Sequence, residues 1–235
     1  MSKEKLLHYN AGPHECQGSF FQAENSELAP TILVGHTWKG KSDFEIEKAR
    51  ALSKLGYNAL AIDLFGDGKL GSSTEENQAM IEPFVSDRVL FRNTLKDTAD
   101  FAKSMDSFNG KLGMIGFCFG GLATIELARS GYDFIAGVSF HGLLNDSSTK
   151  TEPIKSSLLI LHGFKDPMVP PEVVSSFQDE MNRHASDWHF LSYGDAYHAF
   201  TNPLANDVNL GTIYNEAVAN DAWDQMQKFF KLRML

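Results

Sequence analysis

The stretch Gly113-Met114-Ile115-Gly116-Phe117-Cys118-Phe119-Gly120-Gly121 decides the fold. An apolar run ends in Gly-x-Cys-x-Gly-Gly and passes into the helical pattern of residues 121–128, so a strand turns sharply into a helix with cysteine at the corner. A residue on so sharp a turn occupies a strained backbone conformation, and its neighbours two positions away must lack side chains to avoid collision. The turn also aims the sulfur at the start of the following helix, where free N–H groups and the helix dipole favour a thiolate. This is a nucleophile elbow with cysteine where serine usually stands. The spacing does not fit Gly-x-Gly-x-x-Gly, and no Gly-Lys-Ser/Thr follows, so dinucleotide and phosphate loops are excluded. A buried structural cysteine in a tight strand–helix turn stays open on this motif alone.

Working outward, apolar runs at residues 31–35, 57–64, 112–117, 134–140, 158–161 and 188–193 read as strands. Between them, amphipathic patterns at 44–55, 84–105, 121–128 and 173–184 read as helices, and 212–232 reads as a last helix. Strands alternating with helices imply right-handed crossovers and a mostly parallel central sheet with helices on both faces, an α/β fold. Residues 5–9 and 16–22 are expected to pair as a hairpin turning at Asn10-Ala11-Gly12-Pro13. Residues 69–83 show no clear period and are expected to form a loop over the site. In such sheets chemistry collects beyond the carboxyl ends of the strands.

With 235 residues and no linker or repeat, residues 1–235 read as one domain. No apolar run approaches the ~18 residues a membrane span requires. Met1-Ser2-Lys3-Glu4-Lys5 is followed by no apolar segment, so no secretory signal is expected. A net charge of -9 argues against a nucleic-acid surface. The two cysteines, Cys16 and Cys118, are too few for a cysteine-based zinc site and suit a reducing cytoplasm. Neither a membrane nor a nucleic-acid partner is expected, and the chain reads as a monomer or small homo-oligomer.

Two further residues give the elbow its context. Asp166 lies on the loop after the strand 158–161, and His198 on the loop after 188–193. Nucleophile, acid and histidine therefore follow one another in chain order, each at the same sheet edge. Singly, Asp166 suits a turn and His198 a packed core position.

At Gly-Phe-Cys-Phe-Gly-Gly (116–121), His-Gly-Phe-Lys-Asp-Pro-Met-Val-Pro (162–170) and Tyr-His-Ala-Phe-Thr-Asn-Pro (197–203), the chain resembles the dienelactone hydrolase family of the α/β-hydrolase fold. The likeness runs from about Thr31 to the end. It implies Cys118 as nucleophile, His198 as base and Asp166 as the group that orients it. It also implies an oxyanion hole formed by the N–H groups of Trp38 and Phe119. The implied activity is hydrolysis of a small ester or lactone through an acyl-thioester, with no metal or organic cofactor. Family members commonly carry glutamate at the position of Thr37, so the substrate departs from a simple dienelactone or the thiol is activated by His198 alone. In the dienelactone enzymes arginines near the site hold a substrate carboxylate. Arg88 and Arg92, four apart on one helix face, are the candidates here, with Thr37 as a third substrate contact. Lys39 and Lys165 flank the site and offer the same service.

Three rivals stand beside this reading: a carboxylesterase or acyl-transfer enzyme with another substrate, a non-catalytic small-molecule binder on the same fold, and a thiol redox protein. The last lacks a resolving cysteine near Cys118. Gly66-Asp67-Gly68 reads as a turn, not a metal site. His36, His141 and His162 each follow a strand and suit structural hydrogen bonding better than zinc. Trp223, Met226, Phe229 and Phe230 have the spacing of helix core packing.

Overall fold

The computed structural model describes residues 3–24 and 26–235. Met1 and Ser2, part of the stretch read for a secretory signal, lie outside the described residues. In chain order the elements are β1 (Lys5–Ala11), β2 (His14–Phe21), β3 (Ala29–Gly35), α1 (Asp43–Lys54), β4 (Asn58–Ala61), α2 (Thr74–Ser86), α3 (Arg88–Lys103) and β5 (Phe108–Phe117). Then follow α4 (Phe119–Arg129), β6 (Ala136–Phe140), β7 (Ser157–Gly163), α5 (Pro171–His184), β8 (Trp188–Tyr193), β9 (Asn206–Asp207), β10 (Thr212–Ile213) and α6 (Glu216–Met234).

Eight strands form one sheet in the order β1-β2-β4-β3-β5-β6-β7-β8, and β9 pairs with β10 separately. The strands from β4 to β8 in that order are all parallel, and the antiparallel β1–β2 hairpin joins at β4. Side chains alternate along β5: Leu112 and Met114 enter the core under α2, α3, α4 and α5, while Ile115 and Phe117 enter the core under α1 and α6. Both faces are thus buried, which is why these strands read as continuous apolar runs. Each fully buried leucine or phenylalanine contributes about 1.5–3 kcal/mol to holding these layers. Among the described residues no helix is long and apolar enough to cross a membrane.

The elements depart from the sequence pattern in three places. The periodicity predicts one helix over residues 84–105 and a loop over 69–83, but the structure has α2 and α3 meeting at Asp87. Ser73 starts α2 by accepting the Glu76 N–H at 3.2 Å, a capping arrangement strong enough to form a helix despite Pro83. The Asp87 carboxylate caps α3 in turn, accepting from the N–H groups of Val89 (3.0 Å) and Leu90 (2.9 Å). Residues 212–232 also divide, because Thr212–Ile213 form β10 and Asn215 caps α6 by accepting from Val218 N–H. The hairpin turn is tighter than expected. It uses Gly12-Pro13 between β1 and β2, with Gly12 at φ +53°.

Beyond β4, Asp63 forms a structural knot. Its Oδ1 accepts from the N–H groups of Phe65 and Gly66 (both 3.0 Å), and its Oδ2 from those of Gln17 (3.0 Å) and Gly68 (2.9 Å). Those bonds tie the loop after β4 to β2. The nearby Cys16 thiol is pushed up to about 12 by burial and then by the negative charge of Asp63, so it stays protonated. Both cysteines are free.

Candidate active site

Cys118 occupies the step between β5 and α4 at φ 55°, ψ -113°, a backbone region that side chains rarely adopt. Close packing enforces it. A Cβ on Gly116 would lie 1.8 Å from the Gly120 carbonyl oxygen, and one on Gly120 would lie 2.2 Å from that of Gly35. Any side chain at either position would push α4 off the sheet. The Cys118 N–H is shared between the carbonyl of Phe140 (3.1 Å) and Nδ1 of His141 (3.2 Å). Because Nδ1 accepts, the proton of this imidazole sits on Nε2 and is donated to Thr201 Oγ1 at 2.7 Å. Burial, then the neighbouring charge of His198, lowers the pKa of His141 well below the usual histidine range. His141 is therefore a neutral brace for the elbow, held at φ 39°. Sequence reasoning assigned it a structural role but not this partner.

His198 lies on the loop after β8, pinned where its N–H meets the Gly211 carbonyl (3.0 Å) and its carbonyl accepts from Ile213 N–H (3.0 Å). Its Nδ1 donates to Asp166 Oδ2 at 2.7 Å, while Asp166 Oδ1 accepts the Met168 N–H at 2.8 Å. Both residues are buried, at 2% exposure each. His198 Nε2 is also buried, and no partner of good hydrogen-bond geometry fills it. Burial by itself would lower the pKa of His198. The charge of Cys118 and the Asp166 hydrogen bond outweigh it and carry the imidazole up to about 10.

The loop after β3 closes the site. His36 accepts the Leu64 N–H on Nε2 (3.2 Å) and donates from Nδ1 to the Thr37 carbonyl (2.7 Å). The buried Glu45 accepts the Thr37 N–H (3.0 Å) on one oxygen and the Ser42 N–H (2.9 Å) and hydroxyl (2.7 Å) on the other. The Thr37 backbone is thus fully engaged, and the next N–H is that of Trp38. On the other side, the ring of Phe119 stacks on Phe91 with centroids 5.0 Å apart, fixing the first residue of α4. An N–H at that position has no partner within its own helix.

Cys118, His198, Thr37, Trp38 and Phe119 all line one cavity of about 440 Å³. Ile81, Leu143, Met168 and Leu210 supply much of its remaining wall. That volume falls in the range of small-molecule sites. Ile81 belongs to α2, so the expected loop over the site is in fact a helix beside it.

The candidate arginines lie elsewhere. Arg92 donates from Nε to Glu126 Oε2 at 2.7 Å and from Nη1 to the Lys150 carbonyl at 2.6 Å. Arg88 Nε stands 3.9 Å from Glu126 Oε1. Neither lines the cavity: the shared helix face is real, but it turns inward onto α4, where Arg129 bridges Glu126 to Glu180. Lys165 pairs with the exposed Asp195, and Lys39 is not part of the cavity wall. His162 lines a separate cavity of about 230 Å³ against Phe164 and Phe190. Among the described residues no group of three or more His, Cys, Asp or Glu side chains is placed to hold a metal.

The dienelactone hydrolase family model matches residues 17–234. The chain belongs to the dienelactone hydrolase family. The solved structure titled m3DLH superposes with a TM-score of 0.94 at 32% identity, covering 99% of both chains. A dienelactone hydrolase-like promiscuous phosphotriesterase, P91, from metagenomic libraries gives the same TM-score of 0.94, identity of 32% and coverage of 99% of each chain. A protein of Methylorubrum extorquens that carries the provisional name carboxymethylenebutenolidase is 28% identical over 216 residues, 86% of this chain and 72% of its own. As a member of the dienelactone hydrolase family, the protein is a hydrolase of ester or lactone bonds with the α/β-hydrolase architecture.

Proposed function

We propose that the protein hydrolyses small esters or lactones with Cys118 as nucleophile, His198 as proton carrier and Asp166 as its orienter. The observation that carries this reading is the geometry of His198. Nδ1 is fixed by Asp166 at 2.7 Å, while Nε2 is buried with an open valence beside the cavity that Cys118 lines. His198 Nε2 takes the Cys118 thiol proton, a transfer that the raised basicity of the imidazole favours. The thiolate attacks the substrate carbonyl carbon, and the carbonyl π pair moves onto oxygen. The N–H groups of Trp38 and Phe119, both lining the cavity, are assigned as the donors to that oxyanion. As the intermediate collapses, His198 gives its proton to the departing alkoxide, leaving an acyl-thioester on Cys118. The now neutral imidazole takes a proton from water, whose hydroxide attacks the thioester carbonyl. Collapse releases the carboxylic acid and returns the thiolate–imidazolium pair.

The test is mass spectrometry of the protein mixed with activated esters and lactones, together with the Cys118→Ala variant. An acyl increment on the peptide holding Cys118, and loss of about 10⁴-fold or more in turnover in the variant, are expected. Undiminished turnover in a folded Cys118→Ala protein would sink the reading. The likeness to the metagenomic phosphotriesterase favours a second reaction at the same thiolate, attack on the phosphorus of a neutral phosphotriester. Release of 4-nitrophenol from diethyl 4-nitrophenyl phosphate tests it.

A further inference from the structure

We propose that the cavity selects substrates whose acyl part carries no carboxylate, an inference that rests on Cys118 and His198 being the catalytic pair. Among the described residues that line the cavity, none is Arg, Lys, Asp or Glu. The polar part of the wall is Thr37, Thr74, Gln78, Asn202 and Thr212, all uncharged, and the rest beyond the catalytic pair is apolar. A carboxylate entering this space gives up its hydration and meets no cation in return, which disfavours it strongly. The imidazole of His198 is a poor counter-ion for one, because the Asp166 carboxylate already sits 2.7 Å from its Nδ1.

Two further observations point the same way. The candidate arginines lie inside the helical layer and outside the cavity wall: Arg92 is bonded to Glu126, and the buried Arg88 faces the same carboxylate at 3.9 Å. The chain as a whole carries a net charge of -9, which adds a weak, salt-screened bias against anions at encounter. Binding and encounter are thus biased alike against anions. The residue at 37 fits this selection: threonine brings a hydroxyl and a methyl to the wall and no charge.

The experiment compares mono-4-nitrophenyl adipate, whose acyl chain ends in a carboxylate, with its methyl ester, which is nearly the same size and neutral. Each rate is normalised to the hydroxide-catalysed rate of the same compound. The expected result is a kcat/KM for the methyl ester higher by about 10-fold or more, equivalent to about 1.4 kcal/mol of discrimination. Equal values, or preference for the free acid, overturn this inference while leaving Cys118 catalysis intact. Turnover of neither compound overturns the catalytic reading and this inference with it. The variant Leu210→Arg places a cation on the rim of the cavity, at a side chain that is 42% exposed. It should narrow the ratio between the two esters, through KM more than kcat. A ratio unmoved in a folded variant means that wall charge does not set the preference.

Discussion

Asp63 and Asp166 are both aspartates in loops that follow strands of the parallel sheet, both almost fully buried, yet they are completed in opposite ways. Asp63 accepts four backbone N–H groups, two on each oxygen, so nothing about it can change without loosening the chain. Asp166 accepts one backbone N–H and gives its other oxygen to a titratable ring, whose far nitrogen is left open. A buried carboxylate filled by backbone donors is architecture. A buried carboxylate filled by an imidazole with a free valence passes its charge to a place where chemistry can happen.

That contrast is easiest to break at Asp166. Asp166→Asn should lower kcat by about 10³–10⁴-fold, because the amide no longer holds the imidazole in its productive tautomer. Tm should move little, so a thermal scan run beside the rates exposes any hidden architectural role. A third buried carboxylate, Glu126, sharpens the comparison from the side of architecture. Glu126→Gln leaves the buried Arg92 without its counter-charge and Arg129 with Glu180 alone, and should cost about 3–5 kcal/mol. Calorimetry should register that as a Tm drop of roughly 10 °C, with activity per folded molecule retained. Asp63→Asn should cost somewhat less, about 3 kcal/mol, since the N–H groups of Gln17 and Gly68 would face an amide NH₂. A Tm unchanged in that variant would show the knot to be ornamental.

The smallest effect concerns the open valence itself. His198 is held protonated up to about pH 10, so it serves as proton donor to the leaving group below that value and fails above it. Turnover of an alkyl ester, whose alkoxide needs that proton, should fall as pH rises through 10. An aryl ester with a good leaving group should show a weaker alkaline decline over the same range. Parallel profiles for the two esters would contradict this role for His198.

The elbow was legible because its demand for space is written in glycines at fixed offsets, and the order of Cys118, Asp166 and His198 was legible because parallel strands deliver their loops to one edge. The helix α2 was obscured by Pro83 and by a weak apolar period, although Ser72-Ser73-Thr74-Glu75-Glu76 carried the start signal in plain residues. Arg88 and Arg92 show the other kind of limit. Four-residue spacing correctly places them on one face, but the direction of that face depends on Glu126, thirty-four residues beyond Arg92 and brought near only by the packing of α3 on α4. The pairing of His141 with the Cys118 N–H and Thr201 is likewise a product of three loops meeting, with no local pattern to announce it.

The glycine contacts beneath Cys118 have a consequence for how this protein can change. With Gly116 pressed on Gly120, and Gly120 on Gly35, the turn that carries Cys118 admits no added atom, and variants there will be lost to misfolding before their activity can be tried. The cavity rim is built differently: Gln78 on α2 and Leu210 before β10 line it and stand exposed. New specificities, whether reached by natural drift or in a laboratory library, will therefore accumulate on that outer rim, while the nucleophile and its turn are inherited unchanged.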